Sequence, residues 1–320
     1  MATSGIITLL APGSDIVKEA LEHLGVLAEG EEPNQDQLIS CKRTLNYMVK
    51  SWQGRAPGLW TIQRLYIYLE KNKNEYSLGQ QLGDHFTSEN PIDNTSTLDG
   101  NEAALSTVID VVSASGAASN DRIMIELDSG SSHWTTISSV SSNAITIASG
   151  IPTAAASGNR VYWYTSKGQR PFALSHGQRV TEPSNGTEVP IQIYTRVEYA
   201  ELPRKTEDGT VLGVYYDPQI TTGKLFVWPE TNNVTDYLKL YVQRSIEDFN
   251  ADDDDSDFTQ EWFSALSFGL AIHLAPKYGI SSESFNQLRA LFAETMFDAE
   301  SSDRESTVWF EPEYQSMKGR

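Results

Sequence analysis

Apolar positions recur at helical spacing at both ends of the chain and at strand spacing between them. From Ser14 or Asp15, Val17, Ala20, Leu21 and Leu24 lie on one helical face and Gly25 ends the run, which predicts a short amphipathic helix. After an acidic loop carrying Glu29, Glu31 and Glu32, Pro33 and Asn34 introduce a second helix with Leu38, Cys41, Leu45, Met48, Val49 and Trp52 on its apolar face. It should stop at Gly54 or before Pro57, and a connection of about eight residues makes the pair an antiparallel hairpin. Near the other end, Phe258, Trp262, Leu266, Gly269, Leu270 and His273 mark a third helix, closed by Pro276 and Gly279. His273 on that apolar face reads as a buried, hydrogen-bonded histidine rather than a metal ligand. Ser281 or Ser282 then caps a fourth helix with Phe285, Leu288, Leu291, Phe292 and Met296.

From Leu59 the period becomes two. Leu65 to Glu70 and Glu75 to Gly79, joined by the polar KNKN, read as a hairpin. Further strands are expected at Val189 to Leu202, Val211 to Asp217, Lys224 to Pro229 and Asp236 to Ile246, with turn signals at Glu207 to Gly209 and Thr221 to Gly223. Residues 100–165 differ from their flanks. Short β-branched and aromatic runs alternate there with Ser, Ala and Gly stretches, the rhythm of a small all-β module of about five strands rather than of a disordered loop.

The expected fold is therefore α+β, a four-helix core built from both chain ends and interrupted by a long antiparallel β-domain with a nested module. The divisions are 1–59 with 257–299 for the helical core, 60–99 with 166–256 for the β-domain, 100–165 for the module, and 300–320 for an extended C-terminal tail. Burying all four apolar helical faces in one bundle is the simplest solution.

Composition narrows function chiefly by exclusion. The 320 residues give ample length for a hydrophobic core. Twenty-four Lys and Arg against 43 Asp and Glu leave a net charge of −19, which argues against tight wrapping of nucleic acid. The single Cys41 can form neither an intrachain disulfide nor a cysteine metal cluster, so folding in a reducing cytosol is expected. The apolar stretch 6–11 is too short to span a membrane and lacks a basic flank, so neither an anchor nor a secretory signal is expected.

Catalytic signatures fail. There is no GxSxG, GxGxxG or HExxH, and Gly223-Lys224 lacks the upstream glycine of a phosphate-cradling loop. The five histidines are scattered along the chain, so no metal site and no cofactor are expected. Seven carboxylates fall within Glu247 to Asp257, including Asp252, Asp253, Asp254 and Asp255. As a calcium loop starting at Asp248 this run puts Asp253 where a sharp turn needs Gly and Thr259 where a bidentate Glu is needed. It reads instead as a solvated loop favouring the following helix dipole, or as a contact to a partner or to a channel lumen. Among 43 acids, a carboxylate pair suited to glycoside hydrolysis carries no weight alone. The aromatic strands Tyr162 to Tyr164, Tyr215 with Tyr216, and Phe226 with Trp228 fit core packing or a carbohydrate-binding face.

The stretch SDIVKEALEHLGVLAEGEEPNQDQLISCKRTLNYMVKSWQGRAPGLW, from Ser14 to Trp60, resembles the N-terminal helical hairpin of head-to-tail adaptor (connector, packaged-DNA stabilisation) proteins of short-tailed bacteriophages. Its carriers are Leu24-Gly25, the acidic loop to Pro33, the Leu-rich helix from Leu38 to Val49, and Trp52. A second likeness is EWFSALSFGLAIHLAPKYGIS, Glu261 to Ser281, where Lys277 stands in place of the family's acid. PRKTEDGTVLGVYYDP and GKLFVWP also resemble the β-domain of longer members. The resemblance implies a structural virion protein at the head-to-tail junction, assembled in the host cytoplasm and not an enzyme. It implies a dodecameric ring beneath the portal protein ring, contacts to tail nozzle or hub proteins, and double-stranded DNA retained and ejected through the lumen without sequence-specific binding. In the tail, Trp309, Phe310 and Tyr314 supply the large anchors that interface hot spots favour, and are the expected portal contacts. The competing readings are a virion-associated glycoside hydrolase and a carbohydrate-binding module for host attachment.

Overall fold

A computed structural model describes residues 11–54, 59–79, 83–181, 186–251 and 254–303. The chain is α+β and mostly β-sheet, with five helices among the described residues: α1 (Gly13–His23), α2 (Gln35–Gln53), α3 (Arg196–Glu201), α4 (Phe263–Tyr278) and α5 (Ser282–Ser302). It divides into two compact units, Met1–Trp60 with Ile246–Arg320, and Thr61–Ser245.

In the first unit local chemistry sets the helix ends. Asn34 caps α2 by accepting from the Gln37 N–H at 2.9 Å, and the Gln37 side chain accepts in return from the Asn34 N–H at 3.0 Å, so two otherwise orphaned donors are satisfied. Ser281 caps α5. Helix α4 is buried on most sides, including Ala265, Leu266, Ser267, Leu270, Ala271 and Leu274, so its sequence shows no single apolar stripe. His273, expected to be buried, is instead exposed on the remaining face. Pro276 does not end the helix either. It lies in the last turn, and Gly279, at φ +67, supplies the left-handed cap. Gly269 allows a close approach of helices, since a Cβ there would lie 2.9 Å from the Trp52 ring and 3.0 Å from Met48 Sδ. Apolar residues of α1, α2, α4 and α5 share one buried cluster, with Ile246, Phe249, Phe258 and Trp262.

The second unit holds strands β1 (Ile62–Tyr68), β2 (Glu75–Leu78), β3 (Phe86–Thr87), β4 (Thr95–Thr97), β5 (Val108–Asp110), β6 (Arg122–Glu126), β7 (Ser132–Ser141), β8 (Ala144–Ile147), β9 (Arg160–Tyr164), β10 (Pro171–Thr181), β11 (Thr187–Ile193), β12 (Gly213–Asp217), β13 (Gly223–Trp228) and β14 (Tyr237–Arg244). Eight form a sheet in the order β2-β13-β12-β11-β10-β14-β1-β3. The expected hairpin between β1 and β2 is not formed: β1 pairs with β14 and β3, and β2 pairs with β13. Because a short loop joins β1 to β2, the sheet must curl to bring its two edges close, and the Asp84 N–H donates to the Ser77 carbonyl across that gap at 2.8 Å.

The six remaining strands run β4-β9-β6-β7-β8-β5. A bridge between Leu98 and Val111, flanked by the Val112 N–H donating to the Thr97 carbonyl, joins the outer strands into a small near-closed barrel. Closure removes the exposed edges that an open sheet would present. Its interior is aliphatic apart from Trp163, with Ile109, Ile123, Ile125, Ile137, Ile145, Ile147 and Val161.

One further expectation is corrected. The predicted strand from Val189 to Leu202 ends at Ile193, and its second half is α3, opened by a capping box in which the Thr195 hydroxyl accepts from the Glu198 N–H. The longest strand of the curled sheet, β10, was not anticipated. Irregular pairing at Pro171 to Ala173 and at Leu174 to His176 breaks its alternation.

Candidate functional site

The acidic run lies in the helical unit, and its role there is to hold chain segments together. Asn46 on α2 clamps the backbone of Phe249 from both sides, donating to its carbonyl at 3.1 Å and accepting from its N–H at 3.0 Å. Lys42 donates to the Asn250 carbonyl at 3.3 Å, and Lys50 forms an ion pair with Asp248 at 2.9 Å. The Gly13 N–H donates to the Asp254 carbonyl, and Pro12 bridges to Asp255. The run thus ties the start of α1 to the flank of α2.

Asp254 itself bonds the backbone before it. Its carboxylate accepts the N–H groups of Ala251 at 2.6 Å and Asn250 at 2.8 Å, and these bonds, Ala251 first, hold its pKa below the usual carboxylate range. Glu247, Asp248, Asp254, Asp255 and Asp257 border an open polar depression of about 330 Å³. Asp252 and Asp253 lie outside the described residues, as do Trp309, Phe310 and Tyr314 of the tail. Among the described residues no group of three His, Cys, Asp or Glu side chains is placed to hold a metal ion. Cys41 is buried within the helical cluster, and burial raises its thiol pKa.

In the β unit the aromatic side chains of β9 are buried. Along β9, Val161 and Trp163 point into the barrel while Tyr162 and Tyr164 point out of it. The outward pair is nevertheless covered, by Tyr66, Tyr68 and Tyr237 of the curled sheet, with Met124 and Val180. Tyr66 and Tyr68 reach this seam because they alternate with Leu65 and Ile67, which face the sheet's own core. The Tyr162 hydroxyl donates to the Thr235 carbonyl at 2.9 Å, so the seam is stitched as well as packed. Burial raises the pKa of Tyr68 and Tyr162, and pushes that of Tyr237 up to about 12.

His85 closes the rim of this seam. Its ring stacks on Trp134 with centroids 3.6 Å apart, and Nδ1 lies 2.9 Å from the Tyr164 hydroxyl. Burial, and then the charge of Lys167, pushes the His85 pKa down to about 3. Nearby, the Glu89 carboxylate accepts the N–H groups of Thr165 and Ser166, the Ser166 hydroxyl and the Asn94 amide. It binds the two strand connections between barrel and sheet. Sequence reasoning singled out neither His85 nor Glu89, because their partners are remote in the chain.

A further group of half-exposed aromatic side chains lies elsewhere on the sheet. Tyr199 of α3, Tyr215 and Phe226 stack at 5.4–5.7 Å. The Arg196 Nε donates to the Tyr215 hydroxyl, and Lys205 sits over the Tyr199 ring. A separate polar cleft of about 350 Å³ is lined by Arg179, Thr181, Thr187, Thr231, Asn233 and Asp236, where an Arg179–Asp236 ion pair of 3.0 Å forms part of the wall.

No protein-family model matches the chain, and no curated protein matches it. Among solved structures it is similar to the Gp54 tailspike of Acinetobacter baumannii bacteriophage AP22 in complex with A. baumannii capsular saccharide, at 14% identity over 24% of this chain with a TM-score of 0.21. The matched part is 15% of the tailspike chain. It is also similar to VP17, a capsid protein of bacteriophage P23-77, at 10% identity over 58% of this chain and 75% of that one, with a TM-score of 0.12. Scores this low carry no argument about fold or function. No helix among the described residues is long and apolar enough to cross a membrane.

Proposed function

We propose that this protein is a structural component of a short-tailed phage virion, the head-to-tail adaptor that forms a ring beneath the portal and joins the capsid vertex to the tail. The observation that carries this reading is the meeting of the two adaptor-like stretches. Residues 14–60 and 261–281 belong to one compact unit with one apolar cluster, although the whole of Thr61–Ser245 separates them in the chain. A stretch-by-stretch likeness that also folds together is supported more strongly than two isolated sequence likenesses.

In this reading the β unit is an elaboration serving the tail side, and Trp309, Phe310 and Tyr314 contact the portal. The net charge of −19 suits a conduit that holds DNA without gripping it, through whichever acids line the passage. The protein performs no catalysis in this role. Co-sedimentation with the cognate portal tests it: wild-type protein is expected to pellet with portal, and the triple variant Trp309→Ala, Phe310→Ala, Tyr314→Ala to stay in the supernatant while keeping its far-UV circular dichroism. Normal co-sedimentation of the triple variant rejects the tail contact, and failure of the wild type rejects the adaptor role.

The glycan-attachment reading loses Tyr162, Trp163 and Tyr164, which are buried. It retains the half-exposed Tyr199, Tyr215 and Phe226 row, and a glycan array on the purified protein decides it.

A further inference from the structure

Helices α2 and α5 each turn one apolar face into the helical core and leave a second, patterned face in solvent. On α2 the inward residues are Cys41, Leu45, Met48, Val49 and Trp52. The outward stripe is Ile39, Arg43 and Tyr47, spaced by four residues, with Tyr47 70% exposed and Ile39 47%. On α5 the inward residues are Phe285, Leu288, Phe292, Met296 and Ala299. The outward stripe there is Leu291, Glu294 and Phe297, spaced by three residues, with Asp298 beside it; Phe297 is 65% exposed and Leu291 44%.

The two stripes have the same order and opposite sign. Each places a charged side chain between two large apolar ones, Arg43 on α2 and Glu294 on α5. At a helical rise of about 1.5 Å per residue the apolar pairs are about 12 Å and about 9 Å apart, close enough to match side by side. Among the described residues Arg43, Glu294 and Asp298 take part in no salt bridge. Exposed aromatics on a stable helix cost solubility without adding to the fold, and an aromatic with an Arg between neighbours is the composition of an interface centre.

We propose that the α2 stripe of one copy docks on the α5 stripe of the next, with Arg43 against Glu294 and Ile39 and Tyr47 against Leu291 and Phe297. The occupant is a second copy of this chain, selected by charge: setting α5 on α5 would oppose Glu294 and Asp298 to their own kind. Two different patches meeting make a heterologous contact, which propagates from copy to copy and closes into a ring when the rotation allows. The inference deepens the adaptor reading, on whose ring it rests, by naming the helices that join neighbouring subunits.

The test uses the full chain with Arg43→Cys and Glu294→Cys made separately and a short bismaleimide cross-linker, wild type serving as the control because Cys41 is buried. Mixing the two variants, alone and with portal, is expected to give a covalent dimer that neither variant gives alone. In sedimentation velocity, Arg43→Glu is expected to weaken self-association about tenfold, and adding Glu294→Arg in the same chain to restore it. Circular dichroism confirms that each variant is folded. Dimers from either single variant alone, or a ring on portal with no mixed dimer, overturn the inference, and the latter leaves the adaptor reading standing. A mixed dimer without portal binding supports the inference and sinks the adaptor reading. Neither dimer nor ring overturns both.

Discussion

In the β unit, most of the large aromatic side chains are consumed internally: Tyr66, Tyr68, Tyr162, Tyr164 and Tyr237 form a seam between the barrel and the curled sheet, and Tyr199, Tyr215 and Phe226 cover one another while half-exposed. In the helical unit, Trp52, Trp262 and Phe292 are likewise packed together, yet Tyr47 and Phe297 are left in solvent on helices that already have a buried face. Aromatic content alone therefore says little about binding. What distinguishes the two regions is whether an aromatic is surplus to the packing of its own element, and by that measure the helical unit carries the more informative surface.

The largest expected effect attacks the seam. Tyr162→Ala removes a fully buried ring and the hydroxyl bonded to Thr235, and should cost the β unit about 3–5 kcal/mol in urea denaturation, as large aromatic truncations do. The helical unit should be less affected, and an equal loss in both would show that the units do not unfold separately. Gly269→Leu applies the corresponding stress to the helices, forcing side-chain atoms onto Trp52, Met48 and Phe292; overpacking predicts a loss of about 1–3 kcal/mol. Asn34→Ala removes the α2 cap and should cost about 1 kcal/mol, read from the same denaturation curves.

A pH titration separates the units without mutation. His85 has its folded-state pKa lowered to about 3, so the unfolded state binds a proton first. Its contribution to stability is full above about pH 6.5, and is lost as pH falls towards 3. Thermal melts of the β unit should therefore decline through that window, and His85→Gln should flatten the decline; an unchanged slope would remove His85 as the cause. The smallest effect on folding belongs to the outward stripes. Tyr47→Ser and Phe297→Ser should shift stability by no more than about 0.5 kcal/mol, while self-association measured by sedimentation falls.

The legibility of the sequence follows the same division. Helices α2 and α5 were readable because caps and apolar spacing are local, as at Asn34 with Gln37 and at Ser281, although Leu291, expected on the apolar face of α5, turns to solvent. Helix α1 was readable from spacing alone, since it starts at Gly13 after Pro12 with no side-chain cap from Ser14 or Asp15. Helix α4 was readable as a helix but not in its facing, since burial on most sides erased the stripe that would have exposed His273. In the β unit, strands were found more readily than partners. The proximity of β1 and β2 in sequence suggested a hairpin, whereas the curled sheet satisfies both through remote strands. Helix α3 was hidden because Val197 and Tyr199 continue the apolar alternation of β11, although Thr195 with Glu198 carried a capping signal. The carboxylates were the least legible: the acidic run draws the eye, but Asp254 accepts two nearby N–H groups, Asp248 pairs with Lys50, and neither role is visible without the fold.

Cryo-electron microscopy of the full-length protein mixed with its cognate portal tests the central claim most directly. The adaptor account predicts a closed ring of this protein on one face of the portal, with α2 of each subunit against α5 of its neighbour. Portal particles with no added density, or with isolated copies bound at scattered positions, would contradict it.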